Sequence, residues 1–141
     1  MGTKVRRQFE RLSDHLEELY TERVRFYALK RTTGAPSSPS WENRSGGGEP
    51  GDRVGTAAVK LAELERRIHA LDNQCRAEIR VLEERMACLR AREKSVLRLR
   101  YFDRRTWETV AEIAGLSERG VREICRRAME KMEKTEGKGK S

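Results

Sequence analysis

The chain has 141 residues, which is enough for one or two small domains and leaves little room for a large enclosed catalytic pocket. Hydrophobic residues make up 36% and charged residues 38%, so any core is thin and assembled from the faces of amphipathic helices. The formal charge of +8 makes a polyanion the first partner to consider, because each neutralised phosphate releases counterions.

The segment Lys4 to Lys30 carries Val5, Phe9, Leu12, Leu16, Leu19 and Tyr20 at spacings of three and four, which predicts a helix with one narrow apolar side (residues 1–31). Such a stripe is not stable alone and requires a partner. From residue 32 to residue 52 the pattern dissolves into Pro, Ser and Gly, where neither helix nor strand propagates, so this stretch is expected to be a flexible linker. Its Trp41 is expected to dock on the helices or on another subunit of the same protein, with docking on a partner and no role at all as the alternatives.

A second long helix is predicted over 53–88, with Leu61, Leu64, Ile68, Leu71, Cys75, Ile79, Leu82, Met86 and Leu89 in a heptad-like repeat and a four-residue stutter between Cys75 and Ile79. Its seam wants another helix. The N-terminal helix folding back antiparallel and the same helix of a second subunit both satisfy it, and the charges beside the seam carry no pairing code that selects one.

The pattern changes after Met86. Residues 89–134 read as three helices, the first placing Val96, Leu97, Leu99 and Tyr101 or Phe102 toward a core. Thr106 is an N-cap for a short helix, Trp107 to Ala114, that buries Trp107, Val110, Ala111 and Ile113 or Ala114. Gly115 suits a left-handed C-terminus, Leu116 plugs the core and Ser117 caps the third helix, Glu118 to about Glu133. That helix buries Val121, Ile124, Cys125 or Ala128, and Met129 or Met132, and leaves a basic band on its other side. A basic tail, 135–141, is expected to be disordered.

Helix, tight turn, helix is the geometry that carries a second helix into a major groove. Arg119 and Arg122 are expected to reach base edges, best suited to guanine, with Glu118 and Glu123 accepting from cytosine or orienting those arginines. Arg126, Arg127 and Lys131 are placed for phosphates, as are Ser117 and the Arg104, Arg105 and Thr106 end of the preceding helix.

This stretch resembles region 4 of bacterial sigma factors, the domain that reads the upstream promoter element. The residues that carry the resemblance are Arg92-Glu93, Val96-Leu97, Leu99-Arg100-Tyr101, Glu112-Ile113-Ala114, Leu116-Ser117, Val121-Arg122, Ile124 and Arg127-Ala128. The N-terminal helix, the linker with Ser-Pro-Ser-Trp and the long helix are together similar to small phage and prophage regulators of the RinA/ArpU type, sigma-like activators of late genes. The resemblance implies double-stranded DNA and bacterial RNA polymerase as partners and the cytoplasm of a bacterial host as location. Two departures stand out: Glu118, Arg119 and Gly120 occupy positions where the sigma pattern carries a run such as Arg-Glu-Arg, and Glu123 replaces a common glutamine. The DNA sequence read is therefore expected to differ from the housekeeping promoter element.

The fold expected is all-α, a long helical hairpin or coiled coil followed by a three-helix helix-turn-helix domain. The function expected is sequence-specific transcription regulation by a homo-oligomer, a dimer first, with a packaging-motor DNA-recognition subunit or a polymerase-binding adaptor as alternatives. No enzymatic role, cofactor or metal is expected. His15 and His69 read as helix-surface residues, Gly46 to Gly48 lack the Lys-Ser/Thr of a nucleotide loop, and Cys75, Cys88 and Cys125 have no zinc-ligand spacing and read as ordinary buried thiols in a reducing cytoplasm. No apolar run approaches the roughly 18 residues that span a bilayer, and Met1 to Arg11 is too charged for a signal peptide.

Overall fold

The expected all-α class holds: the computed structural model, which describes residues 3–33 and 50–140, contains five α-helices and, among those residues, no strand. They are α1 (Thr3–Thr33), α2 (Pro50–Arg85), α3 (Ala91–Leu97), α4 (Trp107–Ala114) and α5 (Glu118–Lys140). A 3-10 turn, Met86–Cys88, joins α2 to α3, and a π-turn, Arg98–Phe102, extends α3. Trp41 and most of the expected linker lie outside the described residues, while Thr32 and Thr33 end α1 and Pro50 opens α2, a position at which proline loses no helical hydrogen bond.

The chain forms two compact units, Met1–Leu16 with Gln74–Ser141, and Glu17–Asn73. These cuts differ from the boundaries expected at 31/32, 52/53 and 88/89. The reason is Val5, Phe9 and Leu12, which are fully buried in the same unit as the three C-terminal helices. The Phe9 ring lies 5.2 Å from that of Tyr101 and 6.3 Å from that of Phe102, and the Val5 amide donates to the Glu133 carboxylate at 2.6 Å. Each aromatic pair contributes about 0.5–1.5 kcal/mol beyond the area it buries.

In this unit α1 and α2 run antiparallel. Arg85 donates to Gln8, and seven residues farther along α1 the His15 ring is 2.9 Å from Glu78, seven residues back along α2. The seam therefore takes the chain's own N-terminal helix, one of the two partners the periodicity allowed. Cys75, Leu82, Met86 and Leu89 of the repeat are buried here, whereas Ile79 is half-buried. His15 is half-buried, not a surface residue as expected, because its ring faces Glu78; His69 is exposed.

Met86, Leu89, Val96, Leu97, Tyr101, Val110, Ala111, Val121, Cys125, Ala128, Met129 and Met132 complete the core. Arg98 makes a two-pronged contact with Glu83, 2.7 and 2.8 Å, and lowers that carboxyl below its ordinary range, tying the end of α3 to α2. Lys131 of α5 reaches Glu93 of α3 at 3.1 Å. Although partial burial pushes the Glu93 carboxyl up, the Arg90 amide and Lys131 together bring it below its usual value.

The second unit pairs residues of α1 and α2 in the same antiparallel sense, with Arg23 3.2 Å from Asp72. Its core is slight: Leu19 and Leu64 are buried, and Phe26, Leu29, Leu61, Ile68 and Leu71 are half-buried. Tyr20, expected on the apolar stripe, is 63% exposed, because it sits one residue beyond Leu19 and so a third of a turn off the seam. Glu22 is buried with its Oε1 unpaired among the described residues.

Two further expectations are corrected and one open choice is decided. Cys88 is exposed, since the 3-10 turn rotates it outward, so only Cys75 and Cys125 are buried thiols. Of the two residues left open for the end of α4, Ala114 is half-buried and Ile113 is 57% exposed. The tail expected to be disordered is helical in backbone to Lys140, continuing α5.

Candidate nucleic-acid interface

The turn between α4 and α5 is fixed by local chemistry that the sequence announces. Thr106, extended at φ −68° and ψ 158°, accepts the Thr109 amide through its hydroxyl at 3.1 Å and so caps α4. Gly115 adopts φ 72° and ψ 33°, the left-handed region, and the Leu116 amide returns to the Ala111 carbonyl at 2.9 Å. That closing pattern satisfies the last carbonyls of α4 and turns the chain at once. Ser117 then accepts the Gly120 amide at 3.0 Å and caps α5. Gly120 sits close to that cap, since a Cβ there would lie 3.3 Å from Ser117 Oγ.

A second left-handed turn precedes α4. The Asp103 amide reaches Arg98 O and the Arg105 amide reaches Leu99 O at 3.0 Å, which needs Arg104 at φ 57°. A non-glycine residue there costs about 1–2 kcal/mol. Strain of this kind, held where a smaller residue would relieve it, points to a use for the side chain.

Val121, Cys125, Ala128, Met129 and Met132 bury one side of α5, so Arg119, Arg122, Arg126 and Arg127 are exposed. Their states differ. Glu123 receives Arg126 at 2.5 Å and Arg127 at 2.9 Å, and these hydrogen bonds hold its carboxyl at about 2. Arg126 also reaches Glu130 at 2.6 Å. Arg122 is only 3.9 Å from Glu118, and its guanidinium lies 5.1 Å from the centroid of the Trp107 ring. Arg100 covers that ring at 4.3 Å and donates to the Arg105 carbonyl. Trp107 thus meets two guanidinium groups, Arg100 from the π-turn and Arg122 from α5. No hydrogen bond or ion pair engages the side chain of Arg119 among the described residues.

An open groove of about 550 Å³ runs beside α5, lined by Arg6, Tyr101, Trp107, Glu118, Arg119, Arg122, Glu123, Cys125 and Arg126. Of the residues singled out from the sequence, the groove gathers Glu118, Arg119, Arg122, Glu123 and Arg126. Arg104, Arg105, Thr106, Ser117 and Arg127 stand outside its lining, the first three in the loop before α4 and Ser117 at the cap. Sequence reasoning missed Arg100 and Arg6 and assigned Trp107 to the core. The proximity of two arginines and an aromatic across the π-turn was a usable signal for Arg100; nothing in the local sequence signals Arg6, which arrives from the far end of the chain.

The groove is open, and its lining combines four arginines and two glutamates with Tyr101, Trp107 and Cys125. Burial pushes the Cys125 thiol up to about 12, so it remains a protonated core residue. Among the described residues no group of three or more His, Cys, Asp or Glu is arranged to hold a metal ion, and no helix is long and apolar enough to cross a membrane.

Residues 85–134 match the family model described as Sigma-70, region 4, over about a third of the chain. This segment is therefore similar to a DNA-binding helix-turn-helix of the transcription machinery. No curated protein and no solved structure matches the chain.

Proposed function

We propose, taking a region 4-like helix-turn-helix at residues 85–134 as the premise, that the chain is a sequence-specific regulator of transcription that reads duplex DNA with α5. The observation that carries the reading is the capped α4–turn–α5 unit, whose exposed arginines lie on the side of α5 away from the core. A helix so presented fits a major groove about 12 Å wide. In this reading Arg119 and Arg122 reach base edges, Arg122 pre-set by Trp107. Glu118 and Glu123 either accept from cytosine or set the arginines. Ser117, Arg126 and Arg127 meet phosphates, and Arg104, Arg105 and Thr106 meet the flanking strand.

The finer reading is a phage late-gene activator that works with host RNA polymerase in the bacterial cytoplasm, as a homo-oligomer and without catalysis. Its support is the layout of N-terminal helix, Ser-Pro-Ser-Trp linker and long helix ahead of a sigma-like domain. The test is binding of the full chain to a pool of random duplexes, followed by transcription with purified RNA polymerase from a template carrying the selected site. Enrichment of one motif and a rise in transcript support the reading. Binding with no preferred sequence contradicts regulation, and enrichment without any effect on transcript contradicts activation.

A further inference from the structure

We propose that Arg6, in the first turn of the N-terminal helix, belongs to the DNA interface and takes a backbone phosphate diester at the edge of the α5 groove. This rests on the reading of α5 given above.

Arg6 stands in a fixed place. The residue before it, Val5, is fully buried with its amide bound to Glu133, and Phe9 is buried against Tyr101 and Phe102. The first two turns of α1 are thus pinned across the C-terminal helices, and Arg6 points outward beside Val5 into the lining of the groove that holds Arg119, Arg122 and Arg126. Burial pushes both Tyr101 and Cys125 up, and the nearby Arg6 charge only partly opposes it.

The neighbouring cations are committed to different degrees. Arg126 is held by Glu123 and Glu130, while Arg122 rests on Trp107 near Glu118. Arg6, like Arg119, makes no hydrogen bond or ion pair among the described residues. A phosphate meeting Arg6 therefore breaks no existing pair, and a guanidinium matches its oxygens two at a time. The approach along α5 favours backbone over base: the Val5 amide beside Arg6 is bound to Glu133, sixteen residues beyond Ser117 and about 24 Å along the axis, so α1 meets α5 past the two turns that reach base edges.

The test is a titration of a fluorescent mixed-sequence duplex with the full chain over a salt series. Arg6→Ala should weaken binding several-fold at low salt and reduce the slope of log affinity against log salt by about 0.9, the loss of one phosphate contact. Arg6→Lys should keep most of that slope. Arg7→Ala, also exposed but outside the groove lining, should match the parent. Thermal melts of all three should coincide with the parent, since these side chains are exposed. If Arg6→Ala keeps the parent's affinity and slope while Arg122→Ala loses both, the role of Arg6 is overturned and the reading of α5 survives. If neither variant changes duplex binding, the reading of α5 fails and takes the Arg6 contact with it.

Discussion

Replacing Trp107 with alanine should weaken DNA binding without removing a DNA contact. The half-buried ring has the Arg100 guanidinium 4.3 Å and the Arg122 guanidinium 5.1 Å from its centroid. Two such contacts at partly exposed positions are worth about 0.5–1 kcal/mol each. A fully buried aromatic truncated to alanine costs about 3–5 kcal/mol, so a half-buried one adds about 1–2 to that. The expected loss of stability is therefore about 2–4 kcal/mol, read by urea denaturation of the full chain.

For binding, the relevant quantity is the freedom returned to Arg122. Immobilising a side chain of this kind costs about 0.5–1.5 kcal/mol, now due on association, which lowers affinity by about 2- to 12-fold. The salt slope should stay at the parent value, because no phosphate contact is lost. Trp107→Phe should fall between parent and alanine. Anisotropy titrations at temperatures where circular dichroism shows the variant folded provide the assay. If Trp107→Ala binds as tightly as the parent, or if its salt slope drops by a whole contact, the ring does not act by pre-setting Arg122.

Other changes follow from the same geometry. Arg104→Gly removes a left-handed non-glycine residue and should raise the melting temperature slightly, while lowering duplex affinity and the salt slope; Gly115→Ala, which introduces the same strain with nothing within 4 Å of the new Cβ, should cost about 1 kcal/mol in denaturant titrations. Glu22→Leu should stabilise the unit that contains residues 17–73 by about 1–3 kcal/mol, since it removes a buried carboxylate oxygen without a partner; a lower melting temperature refutes that account. The Glu123 carboxyl, depressed by Arg126 and Arg127, keeps its clamp at every pH above the ordinary carboxylate range and loses it only as pH falls through about 2. Its NMR titration midpoint should move up toward 4.5 in Arg126→Ala/Arg127→Ala.

What the sequence disclosed was whatever is decided within a few residues. Thr106, Gly115 and Ser117 each take the conformation their chemistry favours, and the 3.6-residue period located Val121, Cys125 and Met129. The pairing of α1 with α2 was half legible, because the seam showed that a helix was needed and not which one. Three features lay beyond it. Cys88 turned outward through a 3-10 turn that breaks the helical period, and the period did not decide between Ile113 and Ala114 at the end of α4. The docking of Val5 and Phe9 beside Tyr101 joins segments about a hundred residues apart, and with it came Arg6. The candidate interface was legible on α5, where every charge lies on one helix, and illegible where a second element supplies the side chain.

The most direct test of α5 as the reading helix is a residue-resolved map of the contact. Amide spectra of the isotopically labelled full chain, recorded at low salt with and without the selected duplex, should show the largest shifts over 104–107 and 117–127, including the Trp107 indole, and these should vanish as salt is raised. Shifts confined to 17–33 and 55–73, with 117–127 unmoved at saturating duplex, contradict the account.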